Sequence, residues 1–145
     1  MLKIKECYQR IKRGWCDSDV FSIDNWFEYV IPDMLKQLKE TKHGYPADMT
    51  SEEWDKQLDR MIYCFTEMQE DKCSEKNEYE EEYIQQIGLK QVEVDGKTFT
   101  AVQNYSDEEL RKLWLDREIE IDKYRRKMQT EGFELFNKYF RNLWD

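Results

Sequence analysis

Thr50-Ser51-Glu52-Glu53-Trp54-Asp55-Lys56-Gln57-Leu58-Asp59-Arg60-Met61-Ile62-Tyr63-Cys64-Phe65-Thr66-Glu67-Met68 decides the fold. Trp54, Leu58, Met61, Ile62, Phe65 and Met68 recur at helical spacing, which lays them along one face of a helix. Thr50 stands where an N-cap belongs. Glu53, three residues on, is placed to reach back to it as a capping box. An amphipathic helix with so wide an apolar stripe must bury it against other helices, so its neighbours are read for matching stripes.

Upstream, His43-Gly44-Tyr45-Pro46-Ala47-Asp48 reads as a turn. Gly44 is expected to supply a positive φ that ends the preceding helix, and Tyr45 before Pro46 is pushed to extended geometry. That preceding helix starts near Asp24 as N-cap, with Trp26, Phe27, Val30, Ile31, Met34, Leu35 and Leu38 as a wide buried face. Pro32 lies inside it and is expected to kink or divide it, because proline lacks the N–H that the turn requires. Before it, Trp15-Cys16-Asp17-Ser18-Asp19 reads as a loop. Residues 3–13 read as a short amphipathic helix with Ile4, Cys7, Tyr8 and Ile11 at helical spacing, stopped by Gly14.

Downstream, seven of the thirteen residues 70–82 are acidic. They predict a loop, a fraying helix end, or a solvated helix over 74–87 ended by Gly88. Around Asp95-Gly96, alternating Val92, Val94, Thr98, Phe99, Thr100 and Ala101 predict a hairpin over about 91–102. A lone hairpin is marginal in water, so it must lean on the helices. Ser106 and Glu109 predict a second capping box, followed by a long helix over 107–142. Its stripe is Leu110, Leu113, Trp114, Ile121, Tyr124, Met128, Leu135, Phe136, Tyr139 and Leu143. Gly132 is expected to mark a bend or break in it. The fold class is therefore mainly α: a compact bundle of four to five helices, with one small β-hairpin inserted before a long C-terminal helix. Residues 1–145 read as one helical domain, its core built from the stripes of the second, third and last helices.

Composition agrees with a folded acidic chain. Charged residues make up 38% and aromatics 14%. A disordered acidic chain has few aromatics, and two Pro and five Gly argue against turn-rich all-β classes. The net charge of −9 is uneven: residues 1–14 carry +4, while 15–65 and 66–104 carry −6 each. Such a field repels phosphate backbones and draws in basic surfaces. Direct nucleic-acid binding and membrane insertion are not expected. Lys123, Arg125, Arg126 and Lys127 read as a solvated helix face. The charged start and the lack of a long apolar run give no export signal, so the expected location is a reduced, cytosolic compartment. Cys7, Cys16, Cys64 and Cys73 lack metal-site spacing and read as free thiols, Cys64 as a small buried hydrophobe.

Chemistry finds little to stand on. His43 is the one histidine, and a nucleophile needs a positioned base. No glycine-rich phosphate cradle is present. Asp17, Asp19 and Asp24 lack the later ligand positions of a calcium loop and read more simply as capping of the second helix. An all-α metal-dependent nucleotide hydrolase is the enzyme alternative. It would draw on Glu78, Glu81, Glu82, Glu118 and Asp122, whose three- and four-residue spacings also suit a solvated face. No cofactor or resident metal is expected, and a non-enzyme is the favoured class.

Four stretches carry a resemblance: Gly14-Trp15-Cys16-Asp17-Ser18-Asp19-Val20 with Asp24; His43-Gly44-Tyr45-Pro46 with Met49-Thr50 and Glu53-Trp54; Leu58-Asp59 with Met61-Ile62 and Phe65; and Glu131-Gly132-Phe133-Glu134-Leu135-Phe136 with Lys138-Tyr139-Phe140 and Leu143-Trp144-Asp145. In this order and spacing the chain resembles a family of small helical proteins encoded by bacteriophages and prophages. The resemblance brings no catalytic signature. It implies a viral accessory protein that binds host machinery. The expected function is engagement of a basic host or phage protein through an acidic helical surface, one form being a nucleic-acid-mimicking inhibitor of host defence of the anti-CRISPR kind. The expected binding residues are Glu70, Asp71, Glu75, Glu78, Glu80, Glu81 and Glu82, and a homodimer is allowed.

Overall fold

A computed structural model describes residues 4–87, 89–94, 96–102 and 107–144. Gly88, Asp95 and Ser106, to which the sequence assigned a helix stop, a turn and a cap, lie outside the described residues. The fold is mainly α: α1 (Ile4–Arg13), a 3-10 turn (Asp17–Ser22), α2 (Ile23–Thr41), α3 (Ser51–Glu67), α4 (Glu80–Ile87), strands β1 (Leu89–Val94) and β2 (Lys97–Val102), α5 (Glu108–Tyr139) and a closing 3-10 turn (Phe140–Asn142). The chain forms two compact units. One holds residues 1–73 and 126–145, the other residues 74–125, so α5 contributes its first part to the second unit and its last part to the first.

In the first unit the α3 stripe is the core. Trp54, Leu58, Met61, Cys64, Phe65 and Met68 are all buried. The capping box forms as expected: Glu53 N–H donates to Thr50 Oγ1 (3.2 Å) and Thr50 N–H to a Glu53 carboxylate oxygen (2.7 Å). The rings of Phe133 and Phe136 meet Phe65 edge-on, and Tyr139 meets Trp54 in the same way. Gly132 does not break α5. A Cβ there would stand 3.1 Å from Cys64 Cβ, so glycine is what allows α5 to approach α3 this closely.

Pro32 does not divide α2 either, which runs unbroken through it. A proline leaves the carbonyl four residues back, here Glu28 O, without its usual helical donor. Gln69, fully buried just past the C-terminal end of α3, supplies one: its Nε2 donates to Glu28 O (2.7 Å) and to Phe65 O (2.9 Å). The expected α2 face is narrower than its stripe, since Ile31, Pro32 and Leu35 are buried while Phe27 and Met34 are exposed.

Helix ends differ in detail. Gly14 ends α1 at φ +81°, as expected, its N–H donating to Arg10 O. Gly44 has no positive φ. α2 stops at Thr41 because Lys42 turns extended (ψ 142°) after donating to Leu38 O. Residues 17–22 wind into a 3-10 turn rather than a loop, and α2 opens after Ser22, not at Asp24.

In the second unit β1 and β2 pair antiparallel from Leu89 opposite Val102 to Val94 opposite Lys97, with Gly96 at φ +71° in the turn. Asp107 caps α5 through Oδ1, which accepts from the N–H groups of Glu109 and Leu110 (3.1 and 3.0 Å).

Candidate functional site

The acidic residues read as a partner surface fall on both sides of the unit boundary. Glu70 and Asp71 belong to the first unit, Glu75, Glu78, Glu80, Glu81 and Glu82 to the second. All are exposed except Glu75, which is half-buried. They are not equivalent. Asp71 Oδ1 accepts from the Tyr29 hydroxyl at 2.5 Å, which holds its carboxyl below the usual range and pushes the phenol up.

In the second unit, three of the carboxylates turn toward α5. Arg117 is the hub. Its guanidinium donates to Glu75 (2.6 Å), Glu78 (3.0 Å), Glu120 (3.3 Å) and the Lys76 carbonyl (3.3 Å). Glu75, ahead of its other partners, raises the Arg117 pKa above its ordinary value. A bond from its own backbone N–H, with Arg117 adding to it, keeps Glu78 below the usual carboxylate range. The Trp114 indole N–H donates to Glu80 (2.6 Å), and the Trp114 ring stacks on Tyr83 with centroids 4.1 Å apart. Asn77 Nδ2 donates to Trp114 O (3.0 Å) and Glu118 (2.8 Å), while its Oδ1 accepts from Tyr79 N–H. The segment leading into α4 is thus fastened to α5 by its own side chains.

Glu70 is exposed on the first unit, and on the second Glu81 and Glu82 remain. They sit exposed in the first turn of α4, where carboxylates suit the positive end of the helix dipole. No ion pair among the described residues involves either. Residues 74–125 carry fourteen acidic and eight basic side chains, a net of −6, against −3 for the first unit. Of the seven acidic residues of the sequence reading, Asp71, Glu75, Glu78 and Glu80 have partners within their own unit, while Glu70 in the first unit and Glu81 and Glu82 in the second make no ion pair among the described residues. Arg117 and Trp114, which hold the other second-unit carboxylates in place, were missed. The Arg117 signal was a cation within a mostly acidic stretch of α5.

The other candidate groups stay apart. Among the described residues no group of three or more His, Cys, Asp or Glu is arranged to hold a metal ion, so the carboxylate hydrolase has no assembled site there. Asp17 and Asp19 do not cap α2. They bind α1: Gln9 first, then Arg13 and Lys5, hold Asp17 well below the usual carboxylate range, and Arg10 does so for Asp19. Asp19 also accepts from Cys16 N–H at 2.7 Å. His43 is exposed in its turn. Cys16, Cys64 and Cys73 are buried free thiols and Cys7 an exposed one; burial pushes the Cys64 thiol up, the direction opposite to nucleophilic activation. Apolar grooves open on the first unit. One of about 290 Å³ is lined by Trp15, Asp19, Val20, Ile23 and Trp26, and one of about 350 Å³ by Ile31, Met34, Leu35, Leu38, Phe136, Phe140 and Leu143.

Compared with protein-family models, curated proteins and solved structures, the chain finds no match. No helix among the described residues is long and apolar enough to cross a membrane.

Proposed function

We propose that this chain is a phage-encoded accessory protein that binds a basic host or phage protein through the acidic surface of its second unit. The target class is a nucleic-acid-handling protein, such as a nuclease of host defence, whose channel is built for a chain of negative charges. One observation carries the reading: a unit with net charge −6 presents Glu81 and Glu82 outward while its own Arg117 and Trp114 hold Glu75, Glu78 and Glu80 in fixed positions. The net negative charge of that unit speeds the approach of a cationic surface and makes it dependent on ionic strength.

The test is affinity capture from host lysate at low and high salt, with mass spectrometry, using the wild-type chain and a Glu81→Gln/Glu82→Gln variant. These two positions make no described side-chain tie, so the variant keeps its circular dichroism spectrum. A basic nucleic-acid-binding protein should be captured at low salt, released at high salt, and recovered at least about tenfold less by the variant. Capture indifferent to both salt and the variant overturns the reading.

A further inference from the structure

α1 is fastened to its unit by polar ties and not by a buried face. It buries none of its residues, and Ile4, Tyr8 and Ile11 on its apolar arc are 89%, 62% and 86% exposed. Among the described residues, its side-chain ties to the following segment all end on residues 15–19. Lys5 reaches Asp17 at 3.1 Å, and Arg13 pairs with the same carboxylate. Gln9 donates to Asp17 (2.7 Å) and accepts from the Asp17 N–H (3.0 Å). Arg10 forks onto both oxygens of Asp19, at 2.7 and 3.4 Å. Arg13 also donates to Trp15 O (3.1 Å), and its guanidinium lies over the Trp15 ring, 3.7 Å from the centroid. Residues 4–13 carry four basic and one acidic side chain, a net of +3, and residues 17–22 a net of −2, so the charges of the two elements oppose each other.

Such an attachment differs in kind from that of α3, whose place is set by the buried Trp54, Leu58 and Phe65. Apolar burial does not depend on screening, whereas exposed ion pairs do. The Debye length falls from about 30 Å at 0.01 M salt to about 3 Å at 1 M, and pairs open to solvent weaken with it. The Gln9 bonds are exposed as well, so water competes for them. Once free, α1 cannot keep its helix. It has ten residues, fewer than the about 12–15 that a lone helix needs in water. Gly14, at φ +81° with open space around it, joins α1 to the segment that holds it and lets the chain swing there.

We infer that α1 is an ionic strap: rising ionic strength screens the ties of Lys5, Arg10 and Arg13 to Asp17 and Asp19 and releases residues 4–13 about Gly14, while the core around α3 stays closed. Release unroofs Cys16. That side chain is fully buried, Arg10 stands close enough to interact with its thiol, and its N–H is held by Asp19 at 2.7 Å. The device lies wholly within the first unit and uses none of the residues proposed to meet a cationic partner.

Amide hydrogen exchange of the full chain in about 0.01 M and about 1 M potassium chloride tests it. Exchange over residues 4–13 should quicken at least about fivefold at the higher salt, while the α3 amides keep their rates. A Lys5→Gln/Arg13→Gln variant should exchange fast already at low salt and respond little to more. An Ile4→Gln/Ile11→Gln variant, changed only on the exposed apolar arc, should keep both the wild-type rates and the wild-type salt response. A pulse of iodoacetamide followed by peptide mapping gives a second readout. The exposed Cys7 should react throughout, Cys16 at least about fivefold faster at high salt, and the buried Cys64 and Cys73 should stay protected. Exchange over 4–13 that ignores salt, release by the apolar-arc variant, or a Cys16 that opens only in step with Cys64 overturns the inference.

Discussion

Gln69 shows how one residue determines what another can do. Alone, Pro32 should break α2, since it takes a donor away from Glu28 O. The amide of Gln69, in the turn after α3, restores a donor at 2.7 Å. A double-mutant cycle separates this from general packing. Gln69→Leu in the wild-type background should cost about 1–3 kcal/mol, the range for a buried acceptor that loses its partner. In a Pro32→Ala background the alanine N–H serves Glu28 O, so the same Gln69→Leu change should cost clearly less, with a coupling of at least about 0.5 kcal/mol in urea unfolding. Equal costs in both backgrounds would mean that Gln69 matters only through Phe65 O and its bulk. The sequence showed Pro32 but not its remedy, because the two residues are far apart in the chain and only the packing of α2 on α3 joins them. Gly132 was misread for the same reason. Its spacing within a helix is local information, whereas the Cys64 Cβ at 3.1 Å is not.

At the scale of elements, apolar periodicity was legible and charge partnering was not. The stripe of α3 is buried as read except for Ile62, which is half-buried, and α5 runs nearly the expected length. The ties between elements came from charged residues that the sequence offers in excess, with nothing local to choose among them. Arg60 and Glu131 are one such tie, a two-pronged pair at 2.5 and 2.7 Å between α3 and the last part of α5. Arg60 holds the Glu131 carboxyl below its ordinary value, and the Arg60 pKa is raised in turn. A depressed carboxyl stabilises the fold above its unfolded pKa of ~4.3 and loses that contribution as pH falls through the lower folded value. Wild type should therefore melt above Glu131→Gln at pH 6, and the gap should close as the pH is taken to about 2. A gap that is constant with pH would show that the carboxylate charge is not its source. Asp17 and Asp19, held lower still by Gln9 and Arg10 foremost, should keep α1 attached into the same acidic range.

Over the whole molecule, the negative charge and the hydrophobic core are carried by different units. The first unit has the deep core around Trp54, Leu58 and Phe65; the second has most of the net charge and relies on side-chain ties to Arg117, Trp114 and Asn77. Few buried apolar residues and many polar ties are the properties of a region that opens before the rest. Arg117→Met tests this, since methionine keeps much of the length while removing all the donors. Amide hydrogen exchange should quicken across residues 74–87, where Glu75 and Glu78 lose their cation. The α3 amides, held by a core that Arg117 does not enter, should keep their protection. If α3 loses protection in step with 74–87, the two units unfold as one and the local reading fails. If only 74–87 responds, the ties of Glu75 and Glu78 to Arg117 are what hold the segment leading into α4.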